Sequence, residues 1–446
     1  MGQRLLVVGG DGAGMAAASV ARRRRPDMEI VAVERGPWTS YSACGIPYLI
    51  GGSVRSVDDL VARRPEQFRA MRIDMRVEHE VKSVDLEART AEVHNLAHGR
   101  TFTLGFDLLH LATGASPIRP PVPGIDASHV HGVQTLTDAQ GLLDDLADRR
   151  PEHVVVIGGG YIGLELAEAF VSKGAPVTVI DSAPEVMHTL DPDMGALVGR
   201  ALRSIGVKLE VNASLIGIDV GEVVTTQGSL PADLVVLGTG VRPNSDLAAA
   251  AGVALGVHDA IVVDRQQRTS AEGVWAAGDC CQSLHRVSGR PVHEALGTVA
   301  NKQGRVAGIT LSGGYATFPG VVGTAMTRLC DMEIGRTGLN VTEAAAAGFE
   351  VVTARIETTT TSAYLPSARP MTVKVIAEAR TGRLLGAQIV GGPGAAKRVD
   401  VMAVAAAAGM DAEELLMADL GYAPPFSSVW DPLQVAAREI VAQLAT

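Results

Sequence analysis

Two glycine-rich turns, each preceded by a short apolar run, lie in the first two thirds of the chain. The first apolar run is Arg4–Val8, and the turn Gly9–Gly14 follows it. An alanine-rich stretch then reaches about Arg24, and a second apolar run, Glu29–Val33, ends at the acid Glu34. Because short apolar runs are typical of buried parallel strands and an alanine-rich stretch favours a helix, this order predicts a βαβ unit.

The same order of segments returns in the second third of the chain. The apolar run His153–Ile157 leads into the turn Gly158–Gly163, and a helical stretch continues to about Lys173. A second predicted strand, Val177–Ile180, then ends at Asp181. Two βαβ units in one chain predict an α/β fold with two Rossmann-like dinucleotide-binding domains.

The glycines and the acid have separate tasks in such a unit. The first glycine permits the tight turn, the middle one lets backbone N–H groups approach a pyrophosphate, and the third lets the helix pack on the strand. The phosphates then lie at the positive end of the helix, and the acid accepts a hydrogen bond from a ribose hydroxyl. Two copies, each with its acid, favour dinucleotide binding far more than a lone turn does. In the first copy Asp11 stands at the middle glycine position.

The rest of the chain predicts the domain limits. Small-residue turns at Leu111–Ala115 and Leu237–Val241 mark two points at which the chain crosses between domains. Beyond about Gly320, β-rich runs precede predicted helices at Val399–Ala408 and Ala412–Leu416, which indicates a third, α+β domain. We expect one dinucleotide-binding domain at 1–112 and 246–320, a second at 113–245 and a third domain at 321–446.

Charge and cysteine content exclude several classes of function. The 446 residues carry a net charge of −10, which argues against nucleic acid or an anionic membrane as the main partner. The uncharged apolar run Val401–Met410 is too short to span a membrane. Four cysteines do not make a disulfide framework and no Cys/His spacing is typical of zinc, so we expect a cytoplasmic protein without a metal site.

One cysteine lies in a distinctive pattern. The segment Ser40–Tyr48 reads S-x-x-x-C-G-x-P-Y, and its Cys44 follows a turn and precedes a predicted helix start. The helix dipole stabilises a thiolate at such a position. A free cysteine is usually buried as a small apolar side chain, but Cys44 lies shortly after Glu34 in a segment that resembles a redox motif, and this resemblance favours redox function. Cys280 and Cys281 are interpreted as packing residues, and Cys330 is interpreted as a core residue.

Together these motifs resemble the pyridine nucleotide–disulfide oxidoreductases, FAD enzymes with two dinucleotide domains and a dimerisation domain. Because Cys44 is alone, with Leu49 five residues on, the chain looks like the single-cysteine subgroup of coenzyme A-disulfide reductases and their persulfide- or polysulfide-reducing relatives. The similar NADH peroxidases and water-forming NADH oxidases have a histidine where this chain has Gly12. The resemblance implies a homodimer that binds FAD and a nicotinamide nucleotide.

The resemblance also implies roles for individual residues. Cys44 would be catalytic together with Tyr364 and Tyr422, which would reach the cysteine of the partner subunit, and Arg23 and Ser40 would bind the substrate. The residues implied to bind FAD are Gly9, Gly14, Glu34, Thr113, Gly114, Asp279 and Gly297. Those implied to bind the nicotinamide nucleotide are Gly158, Gly160, Tyr161, Gly163, Glu165, Asp181 and Gly240.

The implied activity is electron transfer from NAD(P)H through flavin and Cys44 to a low-molecular-weight disulfide, either coenzyme A disulfide or a persulfide or polysulfide. Two alternatives stay open: an NADH oxidase that reduces oxygen, and a non-catalytic flavoprotein that senses redox state. Asp181 is followed by Ser182 and Ala183, without an arginine to neutralise a 2′-phosphate. The sequence therefore favours NADH and leaves NADPH open.

Overall fold

A computed structural model describes residues 2–148 and 150–445 of the chain. The first part holds strands β1 Arg4–Val8, β2 Glu29–Val33, β3 Asp74–Arg76, β4 His79–Asp85, β5 Thr90–Asn95, β6 Arg100–Gly105 and β7 Leu108–Leu111, with helices α1 Gly12–Arg24, α2 Ile46–Ile50 and α3 Pro65–Ala70. The next part holds β8 Ala115–Pro117, β9 Val130–Gly132, β10 Val154–Ile157, β11 Val177–Ile180, β12 Lys208–Glu210, β13 Leu215–Asp219, β14 Gly221–Thr225, β15 Gly228–Ala232, β16 Leu234–Leu237 and β17 Val241–Pro243, with α4 Leu136–Asp148, α5 Tyr161–Ser172 and α6 Pro192–Ser204.

The second half of the chain continues the numbering. Residues up to 311 form α7 Asp246–Ala250, β18 Val274–Ala276, β19 Ser283–Leu284, β20 Pro291–Val292 and α8 Gly297–Leu311. The last part forms β21 Ala325–Leu329, β22 Met332–Gly338, α9 Val341–Ala347, β23 Val351–Thr359, β24 Pro370–Glu378, β25 Leu384–Gly391, α10 Val399–Ala408, α11 Ala412–Leu416 and α12 Pro432–Leu444.

The first parallel sheet has the strand order β18-β7-β1-β2-β3. Strand β18 comes from residues 274–276, so two separate chain segments build this unit. Helices α1 and α8 pack so closely that only glycine fits at two positions of α8. A Cβ at Gly304 would collide with the backbone oxygen of Ala13, and a Cβ at Gly308 with that of Ala17. The apolar residues of β1 are buried, as the unbroken apolar run predicts for a strand covered on both faces.

The second parallel sheet has the order β12-β11-β10-β16-β9, with α5 following the turn after β10. Antiparallel sheets accompany both units, in the order β4-β5-β6 beside the first and β13-β14-β15 beside the second. The predicted pair of βαβ units is therefore confirmed. The proposed domain limits stay a prediction.

The last part of the chain forms an antiparallel sheet in the order β21-β22-β25-β24-β23. Helices α10, α11 and α12 supply apolar side chains to the same core as the central strands, for example Val399 and Leu433 beside Val373 and Leu384. This arrangement confirms the α+β character expected of the third domain. None of the helices within the described residues is long and apolar enough to cross a membrane.

A buried polar cluster joins the third domain to the second dinucleotide unit. Lys374 on β24 forms ion pairs with Asp191 and Asp193 at the start of α6, at 2.9 and 2.7 Å. Gln388 on β25 donates to Asp191 at 2.9 Å and accepts from its backbone N–H at 2.8 Å. Breaking such a pair would leave a buried charge without a partner, so the cluster fixes how the two domains meet.

Candidate active site

The first glycine turn has the close backbone packing that the motif requires. Gly9 has φ of +110°, in the left-handed region that favours glycine, and a Cβ there would collide with the carbonyl oxygen of Ala112. A Cβ at Gly14 would collide with the carbonyl oxygen of Gly9, because α1 packs directly on the turn. These two glycines therefore shape the cradle between β1 and α1.

Asp11 leaves this cradle open although it stands at a glycine position. Its Oδ1 accepts a hydrogen bond from the backbone N–H of Tyr41 at 3.1 Å, so the carboxyl turns toward the loop of residues 39–41. Thr39 and Ser40 of that loop donate to the carbonyl of Gly10 at 2.5 and 3.0 Å. Burial, with nearby carboxylates adding to it, raises the pKa of Asp11 to about 6. Asp11 thus connects the glycine turn to the chain that leads to the candidate cysteine.

Two acids frame the first nucleotide site. Glu34 accepts hydrogen bonds from the backbone N–H groups of Gly10 and Gly36, at 2.7 and 2.8 Å. Oδ1 of Asp279 is buried and has no hydrogen-bond partner within the described residues, and burial raises the pKa of this carboxyl. An unpartnered buried carboxyl oxygen is costly unless a ligand donates to it. A Cβ at Gly297, the first residue of α8, would meet open space, and these features fit FAD.

The two chain crossings lie side by side. Thr113 donates through its hydroxyl to the carbonyl of Asn244 at 2.5 Å, and the Asn244 amide donates back to the Thr113 carbonyl at 2.9 Å. Gly114 and Gly240 have φ of +68° and +84°, so each allows the reversal of chain direction at its crossing. Thr113, Gly114 and Gly240 therefore meet at one connection between the dinucleotide units.

The second glycine turn repeats the geometry of the first. Gly158 has φ of +100°, and a Cβ at Gly158 or Gly163 would collide with a backbone carbonyl oxygen. Asp181 accepts hydrogen bonds from the backbone N–H groups of Gly159 and Ala183, at 2.7 and 2.8 Å. Glu34 holds Gly10 in the same way, so each acid fixes its own turn. A Cβ at Gly160, the residue before α5, would lie 4.0 Å from the carbonyl oxygen of Gly238, so this position has more room than Gly158 or Gly163.

Tyr161 and Glu165 lie one turn apart on α5. The Tyr161 hydroxyl is buried beside the hydroxyl of Thr189, and burial raises the pKa of Tyr161. Oε1 of Glu165 accepts a hydrogen bond from the hydroxyl of Thr327 on β21 at 2.6 Å. Sequence reasoning missed Thr327, since no motif relates a threonine of the third domain to this helix.

Cys44 is exposed and lies in the 3₁₀ turn Ala43–Gly45, directly before α2. Loss of hydration among neighbouring protein atoms raises the pKa of its thiol, and the charges of Glu165 and Asp279 raise it further. The expected thiolate stabilisation by a helix dipole is therefore wrong for the protein alone. Helix α2 has only 5 residues, whereas burial and two carboxylates raise the pKa of the thiol.

The other cysteines differ from one another. Cys280 and Cys281 are buried, as their interpretation as packing residues predicts. Cys330 is exposed, so its assignment to the core is wrong. It occupies the tight turn between β21 and β22 with φ of +51°, whereas its apolar neighbour Leu329 is buried at the end of β21.

A groove of about 430 Å³ runs beside the first glycine turn and brings the predicted substrate residues together. Arg23 and Ser40 line it, along with Arg63, Asn301 and Arg305. Three guanidinium groups on one groove favour a ligand with several phosphates. Arg63 was not predicted, because nothing in the sequence around it indicates that residues 62–63 return to α1.

The basic run next to Arg23 has mainly structural contacts. Arg22 is buried and donates to the carbonyls of Arg72 and Pro26 at 2.6 and 3.0 Å. Arg24 donates to Ser312 at 3.0 Å, and Arg25 pairs with an aspartate two residues on. Within the run, Arg23 is the residue that lines the groove.

Tyr364 and Tyr422 lie on neighbouring exposed loops of the third domain. Their side chains are 73% and 48% exposed, and within the described chain neither phenol hydrogen-bonds to Cys44. Arg398 ties the two loops together by donating to the carbonyls of Thr360 and Phe426, at 2.7 and 2.5 Å. The surface they share also exposes Phe426, Val429 and Trp430.

Comparison with known proteins gives this geometry a family context. Residues 3–304 match the pyridine nucleotide-disulphide oxidoreductases, and residues 324–433 match the dimerisation domain of these proteins. The NAD(P)H coenzyme A polysulfide/persulfide reductase of Pyrococcus horikoshii is 38% identical over 443 residues, with 98% of each chain covered. An NADH oxidase of Methanocaldococcus jannaschii is 35% identical, with 99% of each chain covered.

Two further comparisons concern disulfide and persulfide reductases. A coenzyme A disulfide reductase of Staphylococcus haemolyticus is 26% identical, over 95% of this chain and 96% of that protein. A solved NAD-dependent persulfide reductase from A. fulgidus is 37% identical, with a TM-score of 0.95 over 99% of this chain and 83% of the other. These matches confirm the fold class and the resemblance drawn from the motifs. The chain belongs to the pyridine nucleotide-disulphide oxidoreductase family.

Proposed function

We propose that this protein is an FAD-dependent reductase that uses NAD(P)H to reduce a disulfide or persulfide of coenzyme A. The observation that carries the proposal is the exposed thiol of Cys44, which follows the loop tied to the first glycine turn and lies within the field of Glu165 and Asp279. A thiol between two nucleotide sites and an arginine-lined groove is suited to receive a substrate disulfide. The names of the relatives support the same substrate class.

The residues of each glycine turn fit a dinucleotide. Gly9, Gly14, Glu34, Thr113, Gly114, Asp279 and Gly297 are proposed to hold FAD, and Gly158, Gly160, Tyr161, Gly163, Glu165, Asp181 and Gly240 the nicotinamide nucleotide. When bound, the two cofactors supply the two electrons that return the cysteine to its thiol form. Glu165 is proposed to orient the nicotinamide, and Tyr161 to cover the flavin until the nucleotide enters.

The chain's own chemistry centres on sulfur exchange. The Cys44 thiolate attacks one sulfur of the substrate, the substrate S–S bond breaks, and a mixed disulfide with Cys44 forms. The departing thiolate takes up one proton, for which a phenol hydroxyl is a suitable donor. Because the pKa of Cys44 is raised in the protein alone, we expect this step to accelerate as the pH rises.

Substrate binding is assigned to the groove beside α1. Coenzyme A carries a diphosphate and a 3′-phosphate, and Arg23, Arg63 and Arg305 present guanidinium groups along the groove. Each can bind phosphate oxygens through two parallel hydrogen bonds. Ser40 lines the groove and lies four residues before Cys44 in the chain, so we expect a ligand anchored by its phosphates to extend toward the thiol.

A dimer with shared active sites completes the proposal. The match to a dimerisation domain supports a dimer, and the exposed aromatic surface around Tyr364 and Tyr422 supports burial of these side chains against a second copy. We infer that both tyrosines reach Cys44 of the partner subunit. We retain as part of the proposal the limits 1–112 with 246–320 for the FAD domain, 113–245 for the NAD(P)H domain and 321–446 for the dimerisation domain.

Oxygen reduction is the second candidate function, since an NADH oxidase is among the relatives. The chain has Gly12 where the similar water-forming oxidases have a histidine, which favours the disulfide reductase. The two functions differ in the oxidant that supports NADH consumption. The experiment measures NADH consumption with each oxidant separately: coenzyme A disulfide, a coenzyme A persulfide, polysulfide and oxygen. If oxygen supports NADH consumption and none of the sulfur substrates does, the proposed reductase function is rejected.

The groove gives a sharper form of this experiment. Replacing Arg63 with alanine should raise KM for coenzyme A disulfide about 10-fold, because a charged hydrogen bond to phosphate is lost. Turnover of pantethine, which lacks the nucleotide phosphates, should change little. The matched control is Arg64→Ala, since Arg64 pairs with Asp58 outside the groove. Equal effects of Arg63→Ala on both substrates would remove the groove from substrate binding.

Nucleotide choice is set by Asp181. Its carboxylate is fixed by two backbone N–H groups and is 8% exposed, so a 2′-phosphate would meet a buried negative charge. We expect kcat/KM for NADH to exceed that for NADPH by about 10-fold or more. Asp181→Asn keeps one acceptor oxygen while removing the charge, and it should narrow this ratio. A native preference for NADPH would contradict the assignment.

A further inference from the structure

Glu165 is held from outside its own domain. Its carboxylate Oε1 accepts a hydrogen bond from the hydroxyl of Thr327 at 2.6 Å, and Thr327 is the third residue of β21 in the dimerisation domain. Thr327 is buried, at 7% exposure. A β-branched side chain has few rotamers available in a strand, so the hydroxyl keeps its direction. Within the described residues no hydrogen bond is formed to the second carboxylate oxygen, Oε2.

The surroundings of Glu165 affect its pKa in opposite directions. Burial raises the pKa of Glu165, the hydrogen bond from Thr327 lowers it, and the neighbouring Glu168 raises it again. From the segment that contains α2, Cys44 and Tyr48 also sense the charge of Glu165, and on β21 Arg328 acts on Tyr48. Thr327 is therefore the group that favours the ionised carboxylate, whereas burial and the charge of Glu168 oppose ionisation.

We propose that Thr327 is a positioning residue for the nicotinamide: its hydroxyl fixes the Glu165 carboxylate so that Oε2 can accept a hydrogen bond from the nicotinamide carboxamide. The inference rests on the proposed role of Glu165. It gives the dimerisation domain of the same chain a part in recognising the nucleotide. The Asp191–Lys374 cluster joins the same two domains elsewhere, so their contact does not depend on this hydrogen bond alone.

The test removes the hydroxyl and retains the shape. Thr327→Val should weaken NAD⁺ binding, measured by calorimetry, and raise KM for NADH, each by about 10-fold. The defect should grow as the pH falls, because a carboxyl without its donor becomes protonated at higher pH and a protonated carboxyl is a poorer acceptor. Thr327→Ser restores the hydroxyl and should recover both quantities and the native pH profile.

Controls separate positioning from packing. Thr337→Val makes the same change on β22, where a buried hydroxyl meets Thr324 rather than Glu165, and should leave NAD⁺ affinity unchanged. If Thr327→Val does not fold, Thr327→Ala against Thr327→Ser makes the same comparison. Normal NAD⁺ affinity in Glu165→Gln would reject the proposed role of Glu165. Weak binding in Glu165→Gln with normal, pH-independent binding in Thr327→Val would reject the role of Thr327 alone.

Discussion

Cys44→Ser should lower disulfide-dependent NADH consumption by on the order of 10³-fold or more, because the residue that forms the mixed disulfide is removed. Serine is nearly isosteric with cysteine, and Cys44 lies on an exposed turn outside the nucleotide cradles, so FAD content should stay near the native value. The measurement is NADH oxidation with coenzyme A disulfide under anaerobic conditions, together with the flavin absorbance of the purified variant. Undiminished turnover would contradict the mechanism.

Cys330 supplies the matched control. It is the other exposed cysteine of the described chain and can undergo the same substitution. Cys330→Ser should retain native turnover, since this residue lies in the β21–β22 turn and has no assigned chemistry. A large loss in Cys330→Ser would instead indicate that exposed thiols of either kind support the reaction.

A mixed dimer of Cys44→Ser and Tyr422→Phe chains should recover up to about half of native activity if active sites are shared. Each homodimer should be impaired, Cys44→Ser almost completely and Tyr422→Phe by about 10²-fold, the scale of a lost proton donor. In the mixed dimer both changes fall on one site and the other site stays intact. Differently tagged, co-expressed chains allow the mixed species to be purified and its turnover measured.

The mixed dimer should have a different activity if each active site is built within one chain. If Tyr422 acted within its own chain, each site of the mixed dimer would carry one substitution, and activity would equal the average of the two homodimers. That result would reject the sharing of active sites between subunits. Tyr315→Phe is the matched control, because Tyr315 is 80% exposed and lies outside the loops tied by Arg398.

Local patterns predicted much of this fold. The apolar runs at Arg4–Val8, Glu29–Val33 and Val177–Ile180 are strands with those same ends, and α10 and α11 have the predicted limits. These elements follow from period, glycine position and burial on both faces, which are properties of short segments. The two turns with their acids were predictable for the same reason, because each acid holds a backbone N–H of its own unit.

Errors arose where neighbours in space outweigh neighbours in sequence. Cys330 follows the apolar residues of β21, yet it is turned outward by the tight turn to β22. The pKa of Cys44 is raised first by burial among neighbouring protein atoms and then by the charges of Glu165 and Asp279, which lie far along the chain and act on the thiol only in the folded protein. A helix dipole inferred from a short segment could not predict the sign of that shift.

The same limit applies to contacts that the motifs do not contain. Thr327 reaches Glu165 from another domain, and Arg63 enters the groove through a loop that returns to α1. Arg398 joins the Tyr364 and Tyr422 loops by donating to backbone carbonyl oxygens. Every residue has such an oxygen, so the sequence does not indicate which ones Arg398 binds. Such residues can be identified only from the folded structure.

Residues 39–41 are fixed by the chain's own hydrogen bonds, from Thr39 and Ser40 to Gly10 and from Tyr41 to Asp11. Ordering a flexible segment costs conformational entropy, roughly 1–2 kcal/mol for each residue. Because residues 39–41 become ordered when the chain folds, this loss of entropy does not lower the affinity for the cofactor. The approach to Cys44 is thus preorganised, and exchange of FAD would leave the reactive thiol in place.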